Sequence, residues 1–293
     1  AHPEVTTVDG WAIQSGTNAT WAAIRDGAGS NAYDDDAIGD YVDIHSGLTT
    51  DRWTKCERGI ILLDISALPT DIVVISAVLS LRGSFKQDSL SASPDINIYS
   101  SNPASNIALI AADYATLGTT PFCDTAITYA GFDAAGWNEF TLNTAGLAAL
   151  ATALSGTKIL KLGVRNANYD VANVAPTWVS NKLFTFIWES AESATSTYKP
   201  KLVVTYKLPG VLWVETTDLH FTDETTATER LLAGIKGSGN ATITATNTSV
   251  VVTHGLGVTP DINKLSLVPN DNIGARSLYA DTHNTWHQRT SGG

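Results

Sequence analysis

The chain has 293 residues, of which 18 are Lys or Arg and 29 are Asp or Glu, so its formal net charge is −11. No Lys/Arg cluster interrupts this acidic balance, and we expect no nucleic-acid partner because a phosphate backbone would be repelled. No run of eighteen apolar residues occurs, which argues against a membrane span. The charged fraction of 16% and the abundance of Thr, Ser, Ala, Gly and Asn are typical of extracellular β-proteins and virion proteins.

The sequence contains no Met. Either an initiator Met is removed ahead of Ala1, or a longer precursor is cut at this point. The first residues, AHPEVTTVDG, have neither the basic segment nor the apolar core of a signal peptide. We therefore expect synthesis in the cytoplasm without export, with secretion as the alternative.

Two apolar runs, 59–65 and 72–81, dominate the first third of the chain, and Pro69 and Asp71 mark the break between them. Their Ile, Val and Leu content indicates buried strands, although periodicity alone leaves a short helix open. We interpret the two runs as a core hairpin of a two-sheet sandwich. Before them, short strands are predicted around 11–14, 20–25 and 41–45.

After this hairpin the sequence predicts more strands than helices. The predicted strands are 95–100, 126–129, 137–142, 159–165, 183–190 and 201–208. Residues 104–118 predict a short helix or an extended connection, and the Ala- and Leu-rich residues 144–154 predict a helix. This succession favours an all-β fold, an antiparallel jelly-roll sandwich, over a parallel α/β sheet.

Pro209 and Gly210 mark the clearest boundary in the chain. We predict a jelly-roll β-sandwich over residues 1–208, a β-hairpin connector over 209–239 and a small C-terminal β-domain over 240–293. The connector is expected to turn at 223–227, and the last part is expected to open with an antiparallel pair that turns near 255–260.

An acidic patch, NAYDDDAIGDYVD, provides clustered carboxylates. Calcium takes six to eight oxygen ligands, which carboxylates and backbone carbonyls on a loop can supply. The spacing does not fit an EF-hand loop. The patch is therefore either a solvated acidic loop or a structural calcium site with Asp34, Asp35, Asp36 and Asp40 as ligands; no other cofactor is expected.

A second polar loop, NANYDVANVAPTW, contains Asn166, Asn168, Asp170 and Asn173 between two predicted strands. Such residues mostly satisfy their own backbone, so a turn role is favoured over a ligand role.

Among the eight Trp residues, Trp53, Trp137 and Trp178 lie in loop-like or strand-edge contexts and are candidates for stacking on a glycan. Buried packing is the alternative for them, and Trp188 is predicted to be core. Cys56 and Cys123 could form one disulfide or remain reduced thiols. No GxSxG or HExxH motif occurs, and we expect the protein not to be an enzyme.

Two resemblances carry further expectations. The succession RGIILLDISALP, ISAVLSLRG, WNEFTLNTAGLAAL, LKLGVRNANYDVANVAPTW, FTFIWESAES and YKPKLVVTY resembles the DNRLRE-type jelly-roll domain over roughly residues 1–208. That domain is found in cell-surface proteins, carbohydrate-binding modules and phage structural proteins. The resemblance implies a two-sheet jelly roll, sometimes with bound calcium.

The C-terminal part is similar to phage virion proteins. SVVVTHGLGVTPDINKLSLVPNDNIGARSLYAD resembles a small β-domain at the ends of tail, fibre and decoration proteins, and VLWVETTDLHFTDETTATERLLAG is similar to their repeated hairpins. The phage-type domain usually continues through another strand, so here it is either abbreviated or completed by a neighbouring subunit.

These features predict a virion structural protein of a bacteriophage, as capsid decoration, head fibre or tail component. The expected partners are other virion proteins and like subunits in a homo-oligomer such as a trimer, and a host-surface glycan is a further candidate. The alternative is a carbohydrate-binding module that is secreted or on a cell surface.

Overall fold

Antiparallel β-strands are the dominant regular structure among the described residues, so the predicted all-β class is confirmed. The computed structural model describes residues 6–34 and 39–207 fully, and beyond them it describes the course of five further strands. The chain divides into two compact units. The first comprises Ala1–Thr70 with Val74–Thr205, and the second comprises Asp71–Val73 with Tyr206–Gly293.

Eleven strands belong to the first unit's sheet system. They are β1 (Asp9–Ala19), β2 (Asn31–Tyr33), β3 (Asp40–Ser46), β4 (Trp53–Asp64), β5 (Val73–Asp88), β6 (Asp95–Ser100), β7 (Ile127–Thr128), β8 (Trp137–Thr141), β9 (Ile159–Asn166), β10 (Leu183–Trp188) and β11 (Lys201–Lys207). The helical segments are α1 (Trp21–Arg25), α2 (Thr144–Ser155), two 3-10 turns (Ala111–Thr116 and Ser196–Tyr198) and a π-helical turn (Ala167–Val171).

The strand order along the main path is β11-β5-β10-β3-β4-β9-β6-β7. β1 joins the path by pairing with β4 and carries β2 on its other edge, while β8 pairs with β5. Neighbours that are distant in sequence, such as β10 and β3, are typical of a sandwich in which successive strands alternate between layers.

The predicted core hairpin is corrected by this topology. Its two runs do form strands, but β4 pairs with β1, β3 and β9, whereas β5 pairs with β8, β10 and β11. β4 is buried on both faces from Cys56 to Leu63, so its apolar run specifies a central strand without specifying its partner. After the break at Pro69 the chain therefore continues into β5, which lies in a different part of the sheet system from β4.

Local capping explains the helices. The strand predicted at 20–25 is instead α1, because the Thr20 hydroxyl accepts a hydrogen bond from Ala23 N and caps the turn. The predicted helix at 144–154 is confirmed as α2, whose first amides, Ala145 N and Gly146 N, donate to the Asn143 side chain. Residues 104–118 are an extended connection that ends in the first 3-10 turn.

The core packs large apolar side chains against both faces of β4. One cluster comprises Val8, Ala12, Ile24, Ile44, Trp53, Cys56, Ile60, Leu62, Leu90, Leu109, Tyr114, Leu117 and Phe184. Trp188 is fully buried, as predicted, and its ring lies against Gly59. A Cβ at position 59 would come within 2.6 Å of that ring, which is why glycine occupies this site. Cys56 and Cys123 are both buried free thiols.

A buried ionic network surrounds Asp170. Arg58 and Arg165 each form a two-pronged pair with its carboxylate: Arg58 donates at 2.9 and 2.6 Å, and Arg165 donates twice at 2.8 Å. The side chains of all three residues are at most 6% exposed. Burial alone would raise the pKa of Asp170, but the guanidiniums, Arg58 foremost, hold it below its usual value.

The network also anchors the surrounding connections. The Arg58 guanidinium donates to the carbonyls of Tyr114 and Arg25, and the Arg165 guanidinium donates to the carbonyl of Gly118. Asn166 accepts from the amides of Tyr169 and Asp170 and so fixes the π-helical turn that presents the carboxylate. We call Arg58, Arg165 and Asp170 the Arg–Asp–Arg lock.

The described strands of the second unit form two antiparallel groups. β12 (Leu212–Glu215), β13 (Asp218–Thr222) and β14 (Glu229–Leu232) form a three-stranded meander, and β15 (Arg276–Ala280) pairs with β16 (Trp286–Thr290). The turn predicted near 255–260 and the boundary predicted at 239 and 240 lie outside the described residues. Among the helices that the structure describes, none is long and apolar enough to cross a membrane.

We predict that Asp170→Asn lowers the free energy of unfolding by about 3–5 kcal/mol, because it leaves two guanidiniums buried without a counter-charge. Urea unfolding at neutral pH measures this loss.

Asp26→Asn is the matched control. Asp26 also pairs with an arginine, Arg25, but its side chain is 54% exposed. Its substitution should change stability by less than about 0.5 kcal/mol. Equal effects of the two substitutions would contradict the role of the lock.

Candidate functional site

The predicted calcium ligands are only partly described. Asp35 and Asp36 lie outside the described residues. The Asp34 carboxylate accepts a hydrogen bond from Leu109 N at 2.6 Å, whereas Asp40 is buried at the start of β3 beside Asp9. Within 6–34 and 39–207, no three His, Cys, Asp or Glu side chains form a group that could hold a metal ion. A calcium site built from Asp34, Asp35, Asp36 and Asp40 stays a prediction.

The candidate stacking tryptophans have different surroundings. Trp53 is 1% exposed and packs edge-on against Trp21, so its predicted stacking role is corrected: a buried ring face cannot reach a sugar. Trp178 is half-buried and packs against the same core cluster. Trp137 is half-buried on β8, and its role stays a prediction.

Trp137 belongs to a group of aromatic and cationic side chains. Lys201 Nζ lies 4.0 Å from the Trp137 ring centre, and the Arg82 guanidinium lies 3.9 Å from the Tyr198 ring centre. Arg82 and Trp137 are directly opposite on β5 and β8, so their side chains leave the same face. We call these four residues the aromatic platform. Arg82 and Lys201 are its two cations, in a protein whose net charge is negative. Together with the rings they suit a ligand that offers a ring face and hydrogen-bond acceptors.

A second polar group occupies adjacent positions on β3 and β4. Lys55 Nζ lies 3.1 Å from Asp43 Oδ2 and 3.0 Å from Glu57 Oε1, and His45 Nε2 lies 2.8 Å from the same Asp43 oxygen. The two carboxyl side chains are at most 5% exposed, whereas His45 and Lys55 are each more than a quarter exposed. We call Asp43, His45, Lys55 and Glu57 the polar cluster.

The surroundings of the polar cluster shift the pKa values of its two carboxyl groups in opposite directions. Burial and the neighbouring Asp43 carboxylate raise the pKa of Glu57 to about 8, against the opposing pull of Lys55. For Asp43, burial is outweighed by His45 and Lys55, and its pKa is lowered. The cluster therefore places Asp43, whose ionisation is favoured, next to Glu57, whose ionisation is disfavoured. Such a pair can bind a polar group or exchange a proton.

Aromatic rings adjoin the polar cluster along β1. Trp11 stacks on Tyr33 at 5.0 Å and contacts Tyr41 at 4.5 Å, while Tyr33 is 44% exposed. β1 continues from Trp11 to Ile13, which is opposite Glu57 in the register. The sheet thus places a partly exposed aromatic surface beside the two carboxyls.

Sequence reasoning missed the polar cluster, although a signal was present. Asp43 lies in the acidic patch, but the predicted calcium ligands end at Asp40. Asp43 and His45 alternate on one strand, and Lys55 and Glu57 alternate on another, so each pair faces one side. Only the pairing of β3 with β4 brings the two pairs together.

No family model matches the sequence, and no curated protein matches it either.

We predict that Glu57→Gln weakens the pH dependence of stability. The pKa of Glu57 is raised from 4.5 to about 8, so the wild-type free energy of unfolding should fall as pH rises between these values. A neutral glutamine removes this contribution, and the variant should be the more stable protein above about pH 8. Urea unfolding at several pH values between 5 and 9 measures the slope.

Glu139→Gln provides the control, since Glu139 is exposed on β8. It should leave the slope unchanged. The raised pKa would be refuted if Glu57→Gln also kept the wild-type slope.

Proposed function

We propose that the protein is a non-enzymatic structural protein of a bacteriophage particle, serving as capsid decoration, head fibre or tail component. The observation that carries the proposal is the division of the chain into two units near the Pro209-Gly210 boundary. The first unit has its own apolar core and its own buried lock. A self-contained first unit suits display, and the second unit suits attachment.

The second unit supports the attachment role through its strands. Its short antiparallel groups are compatible with the repeated hairpins and terminal β-domains of phage virion proteins, which its sequence resembles. In this proposal the first unit is a jelly roll, the second unit binds the particle, and like subunits associate as a closed homo-oligomer such as a trimer. The protein is assembled into the virion in the host cytoplasm.

Mass spectrometry of purified particles from the source tests this function. We expect the chain at a fixed ratio to the major capsid or tail subunit, and we expect the ratio to persist through density-gradient purification. Recovery of the chain only outside particles would contradict the proposal.

Carbohydrate binding is the second candidate function, and the aromatic platform is the observation that favours it. A half-buried indole beside Lys201 and Arg82 offers stacking and hydrogen-bond donors on one face. The two functions are compatible, because an appendage of a particle can bind a glycan on the host surface.

Glycan arrays with the full chain test this second function. We expect micromolar binding that Trp137→Ala weakens at least about tenfold, corresponding to 1.4 kcal/mol or more. Phe85→Ala is the control, because Phe85 is an exposed aromatic residue outside the platform. Equal loss in both variants, or no binding to any glycan, would contradict a platform role.

A further inference from the structure

Two buried carboxyl groups at one end of the sheet, Asp9 and Asp40, have no ion-pair partner among the described residues. Asp9 begins β1 and Asp40 begins β3, and each is 1% exposed. Asp9 Oδ2 accepts a hydrogen bond from Ala191 N at 2.9 Å. Asp9 Oδ1 and Asp40 Oδ2 are buried and have no hydrogen-bond donor among the described residues.

Within the part of the chain that the structure describes, the charges with the largest effect on this pair are negative. Burial first, and then the Glu192 carboxylate, raise the pKa of Asp9 to about 7. Burial, Asp9 and Glu192 raise the pKa of Asp40 well above its usual value. The Trp188 indole counteracts this increase in the pKa of Asp40, although its N–H group forms no hydrogen bond with the carboxyl. Removing a carboxylate from water is unfavourable unless a counter-charge or a proton compensates for the lost hydration.

Three backbone segments converge at this end of the sheet. Asp40 is opposite Trp188 in the β3–β10 register, and the chain after β10 supplies the Ala191 amide to Asp9. Gly39 has a φ of +128°, and a Cβ there would lie 2.3 Å from the Trp188 carbonyl oxygen. Only glycine lets β3 approach β10 this closely, so the convergence is encoded in the sequence.

We propose that Asp9 and Asp40 bind a calcium ion through Asp9 Oδ1 and Asp40 Oδ2, and that the ion ties together the ends of β1, β3 and β10. Calcium suits the site because it takes carboxylate, main-chain carbonyl and water oxygens, so two carboxylates can be its only side-chain ligands. The site differs from the loop site predicted at Asp34, Asp35, Asp36 and Asp40, with which it shares Asp40 alone. A proton shared by the two carboxyls is the competing solution.

Thermal unfolding of the full chain at pH 8 decides between the two solutions. The protein is stripped with EDTA, dialysed and titrated with CaCl2, with MgCl2 at the same ionic strength for comparison. We expect calcium at saturation to raise the unfolding midpoint by about 5 °C or more, and magnesium to have a smaller effect. Isothermal titration should give one calcium per chain at this site.

Asp9→Asn and Asp40→Asn test the assignment. Each removes one charge and keeps the side-chain shape, so each variant should fold and have at least the stability of the stripped wild type. Both should lose the calcium response. Asp34→Asn is the control and should retain it.

Two results would overturn the site. One is a calcium response that survives in Asp9→Asn and Asp40→Asn, which would place the ion elsewhere. The other is a wild-type protein that ignores calcium at pH 8 but gains stability as pH falls from 8 to 5, with Asp40→Asn losing that gain. That pattern would identify a shared proton.

Discussion

The lock at Asp170 is the constraint on which the first unit depends. Arg58 and Arg165 lie on the adjacent central strands β4 and β9. Each is the neighbour in sequence of a residue in the cross-strand pair Gly59 and Val164, so the two arginines lie opposite each other. Two like charges in this position would repel each other strongly at low dielectric. One carboxylate between them reverses the sign of the interaction, and backbone carbonyls accept the remaining donors. The sheet can therefore bury two guanidiniums at its centre, and the same atoms hold three connections in place.

Four further carboxyl groups are buried on β1, β3 and β4 of the same sheet, and they form two pairs. Asp43 and Glu57 both pair with the Lys55 ammonium, but burial and the Asp43 carboxylate raise the pKa of Glu57, whereas His45 and Lys55 lower the pKa of Asp43. For Asp9 and Asp40, the charged groups with the largest effect among the described residues are each other and Glu192, and all three are acidic. Burying a carboxylate is unfavourable unless its charge is compensated. Ion pairing, proton retention and the proposed cation are three ways in which this protein compensates for it.

Much of the strand pattern could be predicted, because β-branched runs bounded by turn residues carry that information locally. Strand partners could not, since β4 is apolar on both faces and its run fits several positions in a sandwich. The apolar residues Trp21 and Ile24 are compatible with the predicted strand at 20–25, but the capping hydrogen bond of Thr20 favours the helix α1. The sequence predicts a turn role for Asp170 in an Asx-rich loop. Its pairing with Arg58, 112 residues earlier, depends on the tertiary fold and has no local signal.

A double-mutant cycle between Arg165→Met and Asp170→Asn tests the central claim most directly. If the lock acts as a unit, Asp170→Asn should cost much less when Arg165 is already methionine, because less unpaired charge then remains buried. We expect a coupling free energy of about 2 kcal/mol or more in urea unfolding followed by Trp fluorescence. Additive effects, within about 0.5 kcal/mol, would show that the two side chains stabilise the protein independently and would contradict the account.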